Sequence, residues 1–162
     1  SLSGTDIVNS HEYYRLFTSM FLHGGLDHIF NNMLVLLFIG SYLEQVTGKI
    51  NYLIIYFSSG IIAGCTSMVY NMMRSDITSS IGASGAIFGV VGGLLSIILI
   101  KRRRSSSLDL RKILFMAFLS LYSGFTSQGV DNAAHIGGFI GGFLVTSLIY
   151  LIKSKRKAGT FK

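Results

Sequence analysis

Residues 80–100 read Ser80-Ile81-Gly82-Ala83-Ser84-Gly85-Ala86-Ile87-Phe88-Gly89-Val90-Val91-Gly92-Gly93-Leu94-Leu95-Ser96-Ile97-Ile98-Leu99-Ile100. From Ser84 to Ile100 there is no charged side chain. A helix needs about 20 mostly apolar residues to cross a bilayer, and this run approaches that length. A barrel strand would instead alternate every ~2 residues, which this run does not. Working outward, four more runs are mostly apolar and lack Lys and Arg: Leu26–Gln45, Ile50–Met73, Ile113–Ser127 and Asn132–Ile152. The fourth run in chain order, Ile113–Ser127, is short for a span.

Composition agrees. Half of the 162 residues are hydrophobic and only 13% are charged, against roughly 25% charged in a soluble domain. That excludes an ordinary soluble globule, and disorder even more firmly. With no Pro there is no collagen or polyproline segment. The single cysteine, Cys65, can form no internal disulfide and no Cys-based zinc site. Four histidines raise the question of a metal, but no carboxylate cluster joins them and none is expected; no cofactor is expected either.

The net charge of +7 would suggest nucleic acid in a soluble protein. Here it reads as an orientation signal. With Gly48 on the cytoplasmic side, Lys49, Lys101, Arg102, Arg103, Arg104, Arg111, Lys112, Lys153, Lys155, Arg156, Lys157 and Lys162 share that side. Only Arg15 and Arg74 fall opposite. This asymmetry places the inner face by the positive-inside rule. Lys101–Arg104 fits a membrane stop and anionic-lipid contact better than nucleic-acid binding.

The N-terminal stretch lacks the basic start and continuous apolar core of a signal peptide. Tyr13, Leu16, Phe17, Met20 and Phe21 recur at helical spacing, so Ser10–Leu22 is expected to lie as an amphipathic segment in the outer interface. Five spans with the N-terminus outside, and a first residue Ser1, lead to the expectation of a further helix upstream.

Three spans run in one direction: Leu26–Gln45, Ser84–Ile100 and Asn132–Ile152. Each carries polar residues in its first turns: His28 and Asn32, then Ser84, then His135. Parallel helices starting at one level put these groups at one depth, and polar groups inside a membrane face the bundle interior. Glycines stand beside them, at Gly85, Gly89 and Gly93, and at Gly137, Gly141, Gly138 and Gly142. Small residues every four positions let backbones approach, so the third and fifth spans are expected to touch and bring Ser84 to His135. Singly, each feature has a plain reading. Serines in membrane helices bond back to a carbonyl one turn earlier, histidines pack, and small-residue stripes only pack helices. The combination is what points to chemistry.

At these residues the sequence resembles the rhomboid family of intramembrane serine proteases. Gly82-Ala83-Ser84-Gly85 is similar to the family's GxSG nucleophile motif, Ala134-His135 with Gly137 and Gly138 to its base helix, and His28-Ile29-Phe30-Asn31-Asn32 to its HxxxN motif. Tyr13 through Gly25 looks like the loop before that helix, with Tyr14-Arg15 where the family usually has Trp-Arg. GxSG alone is weak, since soluble hydrolases use a similar string on a strand–turn–helix elbow.

The resemblance implies an all-α polytopic membrane helix bundle with five spans visible of an expected six-helix core. It is read as one rhomboid-like domain over residues 1–162: an interfacial loop 1–25, spans 26–45, 50–73, 84–100, 113–127 and 132–152, and a basic tail 153–162. It implies a serine endopeptidase with Ser84 as nucleophile, His135 as base, and no carboxylate. Asp131 is read as lying nearer the rim. His28 and Asn32 are implied as oxyanion donors beside the Ser84 N–H; Asn31 is the alternative to Asn32, and the four-residue spacing favours Asn32. Gly82, Gly85, Phe88 and Asn132 are implied as supporting residues. Phe88, one turn after Ser84, either packs on the base ring or makes a plain core or lipid contact. Asn132 is read as a helix cap rather than a partner of His135. The expected partners are transmembrane segments of other proteins and the bilayer, with anionic lipid at the inner face and no nucleic acid. The expected location is a bacterial plasma membrane with the site toward the outside. The competing reading is a non-catalytic rhomboid-like protein that binds transmembrane helices.

Overall fold

The computed structural model describes residues 11–74, 83–100, 115, 118, 122 and 130–159. Among them the chain is helical, without strands. A short helix α1 (Arg15–Thr18) leads into a 3₁₀ turn (Ser19–Phe21). Then come α2 (Leu26–Thr47), α3 (Lys49–Arg74), α4 (Ser84–Ile100) and α5 (Asn132–Gly159). Three segments are long and apolar enough to cross a membrane: Leu26–Thr47, Lys49–Arg74 and Asn132–Ser154. The 17-residue α4 is a shorter apolar helix. Of the expected span 113–127 only Phe115, Phe118 and Tyr122 are described, and all three are helical; the remainder lies outside the described residues.

One residue separates α2 from α3. Gly48 has φ +86° and ψ 154°, a conformation that side chains with a Cβ rarely adopt. Its N–H closes α2 on the Glu44 carbonyl at 2.7 Å, and its carbonyl accepts the Tyr52 N–H at 3.0 Å. The chain therefore reverses in a single step. Asn51 Nδ2 and Lys153 Nζ both donate to the Thr47 carbonyl, at 2.6 and 3.3 Å, satisfying an end of α2 that has no intrahelical partner.

The packing order fixes the directions. Moving along α4 and α5 together, Gly85 meets Gly138, Gly89 meets Gly142, Gly93 meets Thr146, and Ser96 Oγ bonds Ser147 Oγ at 2.9 Å. The two helices are parallel and in register. Along α3 the order is reversed, with Ser59 at Gly89 and Ala63 at Gly85, so α3 is antiparallel to α4. Helix α4 is buried on nearly every face from Gly85 to Ile97, as expected of a helix that is apolar all round. Ile39, Leu43, Ile55, Val90, Val91, Leu94 and Ile97 form the core toward its C-terminal half. On the outside of α5, Ile136, Ile140, Leu144, Leu148 and Leu151 make an exposed stripe. Such a stripe would be a liability in water and is natural against lipid. The protein is an integral membrane protein.

Two glycine stripes on α5 do different work. Gly138 and Gly142 face α4, where an added Cβ would strike the carbonyls of Gly85 and Gly89. Gly137 and Gly141 instead face Thr66 and Ile62 of α3. Before α2, the amphipathic segment is shorter than its periodicity suggested. Tyr13, Tyr14, Phe17, Phe21 and Leu22 are exposed, but Met20 is buried and its methyl fills the space over Gly60.

Candidate functional site

Helix α4 starts at Ser84, and its first backbone bond runs from the Ile87 N–H to the Ala83 carbonyl at 3.0 Å. Ser84 is thus in the first turn, where N–H groups have no intrahelical acceptor and the helix dipole favours negative charge. His135 lies in the first turn of α5. The parallel, in-register contact of α4 and α5 brings the two together: His135 Nε2 and Ser84 Oγ are 3.0 Å apart. The imidazole is 3% exposed. Phe88, one turn after Ser84, stacks on it with ring centroids 3.9 Å apart and planes inclined by 11°. Phe88 thus packs on the His135 ring.

Small residues make this approach possible. A methyl group at Gly85 would lie 2.6 Å from Ala63 Cβ. The Gly85 carbonyl already rests against Gly138. Gly82 lies outside the described residues. Phe139 adds a contact that the four-residue spacing does not display, because a Cβ at Gly92 would strike its carbonyl.

His28 and Asn32 stand one turn apart on α2. The Gly24 N–H donates to His28 Nδ1 at 3.2 Å. A neutral imidazole that accepts at Nδ1 carries its proton on Nε2, so His28 presents a donor there. His23 packs edge-on against this ring, centroids 5.7 Å apart. Asn32 is 7% exposed, and its Nδ2 has no hydrogen-bond partner among the described residues; Asn31 is exposed. A buried amide donor without an acceptor is costly, and the cost is relieved when an acceptor arrives. Immediately below, residues Leu36–Gly40 form a π turn, a feature frequent near functional sites.

The cap of α5 differs from expectation. Asn132 is exposed and is the first helical residue. The cap is Asp131, whose Oδ1 accepts the Ala134 N–H at 2.9 Å. Asp131 Oδ2 also accepts a short hydrogen bond from Ser67 Oγ of α3. This carboxylate is therefore a junction between α3 and α5. An Asp just ahead of an apolar run is an N-cap signal available in the sequence; its bond to Ser67, 64 positions away, is not. Among the described residues no cluster of three or more His, Cys, Asp or Glu side chains could hold a metal.

The arrangement is a hydroxyl paired with a buried imidazole at the start of the central helix of an apolar bundle. A profile of the rhomboid domain family matches residues 10–152. The chain belongs to the rhomboid family. It is 39% identical to RHOMBOID-like protein 1 of Arabidopsis thaliana over 91% of this chain and 37% of that protein. It is 35% identical to Rhomboid protease GluP of Bacillus subtilis (strain 168), over 96% of this chain and 29% of that protein. It is also 36% identical to Inactive RHOMBOID-like protein 8 of Arabidopsis thaliana, over 86% of this chain and 39% of that protein. This rhomboid chain thus spans less than half the length of these relatives. Its helical bundle is the polytopic fold expected from the resemblance.

Proposed function

We propose that this rhomboid domain is an intramembrane serine endopeptidase acting on transmembrane segments of other proteins. The observation that carries the reading is the 3.0 Å contact of Ser84 Oγ with His135 Nε2, held by the stacked Phe88 inside an apolar bundle. Similarity to a protein named a rhomboid protease supports it.

In this reading Ser84 Oγ attacks the scissile carbonyl carbon and His135 Nε2 takes the hydroxyl proton. The tetrahedral oxyanion is met by the Ser84 N–H, His28 Nε2–H and Asn32 Nδ2–H. Collapse breaks the C–N bond, and His135 returns the proton to the leaving amine. Water then attacks the acyl-Ser84 ester with His135 as base, which frees the new carboxyl end and restores the hydroxyl. Asp131 is assigned no step in this scheme; its two oxygens accept from the Ala134 N–H and Ser67 Oγ. A substrate helix hides its carbonyls in i→i−4 bonds and must unwind locally, so helix-breaking residues near the cleavage point favour it. The asymmetry of the basic residues in the sequence supports a site toward the outer face, and a bacterial plasma membrane is the location we favour. The domain is taken to include the span 113–127.

One relative is named inactive, which keeps the helix-binding, non-catalytic reading in play. The same experiment separates the two. Detergent-solubilised wild type, Ser84→Ala and His135→Ala are incubated with a single-span test protein. Cleavage by wild type alone supports the protease; binding without cleavage by all three supports the alternative.

A further inference from the structure

Asp131 occupies a junction that the chemistry above leaves unused. It is half-buried and is the last residue before α5. One oxygen accepts the Ala134 N–H at 2.9 Å, the other accepts from Ser67 Oγ, and its backbone carbonyl accepts the His135 N–H at 3.1 Å. Behind Ser67, Asn71 Nδ2 donates to the same hydroxyl at 3.4 Å. Two bonds thus hold the first turn of α5 to a single residue, and a third ties that residue to α3.

We propose that Asp131 is a positioning residue that sets the height and rotation of His135 by locking the first turn of α5 to Ser67 of α3. The inference rests on the Ser84–His135 hydrolase reading and deepens it. Helix α3 packs against α4 as well, through Ala63 at Gly85 and Ser59 at Gly89. A tie from α5 to α3 is therefore also a tie to the helix that starts at Ser84. His135 is only four residues past Asp131, so a first turn that frays or rotates carries the imidazole with it. Errors of about 1 Å between a nucleophile and its base cost on the order of 100-fold in rate.

The test uses the full chain in detergent micelles, a fluorophosphonate that labels reactive serines, and a single-span substrate. The labelling endpoint counts folded sites, whereas the labelling rate and kcat read the alignment of Ser84 with His135. Asp131→Ala is expected to lower kcat and labelling rate by about 10- to 100-fold with KM and endpoint held. Asp131→Asn keeps an acceptor for the Ala134 N–H and a partner for Ser67, and is expected to recover to within about 3-fold of wild type. Ser67→Ala is expected to fall between them and to add nothing to Asp131→Ala, because the two residues act as one unit. Wild-type kcat in Asp131→Ala overturns the inference, as does a loss confined to the endpoint or a failure of Asn to rescue. Folded wild-type protein that neither labels at Ser84 nor cleaves is a different result: it overturns the hydrolase reading, and this inference with it.

Discussion

The ring of Phe88 lies flat on the imidazole of His135, 3.9 Å between centroids and 11° from parallel. When His135 accepts a proton it becomes a cation over an aromatic face, an interaction worth about 0.5–2 kcal/mol. Phe88→Leu keeps apolar volume and removes the π face. In the protease reading, both Phe88→Leu and Phe88→Ala should lower kcat by about 2- to 30-fold. Steady-state cleavage of a single-span substrate measures this. If Leu behaves as wild type and only Ala is impaired, packing rather than the ring face is responsible.

Asn32 and Asn31 are neighbours in sequence with opposite surroundings, one buried and one exposed. Asn32→Ala should reduce kcat by about 100- to 1000-fold, the usual loss for an oxyanion donor. Asn31→Ala should stay within about 2-fold. Substrate affinity, measured separately on a Ser84→Ala background, should be unchanged by Asn32→Ala. A defect in affinity alone would remove Asn32 from the transition state.

The approach of α4 and α5 has no room for a side chain at Gly142, where a Cβ would strike the Gly89 carbonyl. In a bilayer, helix association depends on such close packing rather than on hydrophobic burial. Gly142→Val should therefore cost about 1–3 kcal/mol or more and separate His135 from Ser84. Thermal unfolding in detergent and fluorophosphonate labelling should both report it. Gly25→Ala, where nothing lies within 4 Å of an added Cβ, is the control and should leave the melting temperature in place.

Gly48→Ala addresses the reversal between α2 and α3. The φ of +86° is strained for alanine, at a cost of roughly 1–3 kcal/mol. Stability should fall while kcat per folded site stays constant, since the turn lies at the opposite end of the bundle from Ser84. Loss of kcat at constant stability would contradict this separation.

Much of the site was legible because its signals are local. A polar residue in the first turn of an otherwise apolar run stands out at His28, Asn32, Ser84 and His135, and the four-residue glycine spacing announces close helix contact. Asp131 was harder. Its capping position is local, but its worth lies in Ser67, and no periodicity connects residues 64 positions apart. The same limit applied to α5, where two adjacent glycine stripes look alike in sequence yet serve different neighbours.

By itself, then, the sequence determined the helical membrane architecture, because hydropathy and helical period are properties of single segments. The tertiary structure decided which glycine stripe meets α4, that Phe88 stacks on His135, that Asn32 rather than Asn31 is buried, and that Asp131 ties α5 to α3. Those outcomes depend on the rotation of each helix about its axis. That rotation is set by the fit of neighbouring surfaces, which no segment encodes alone.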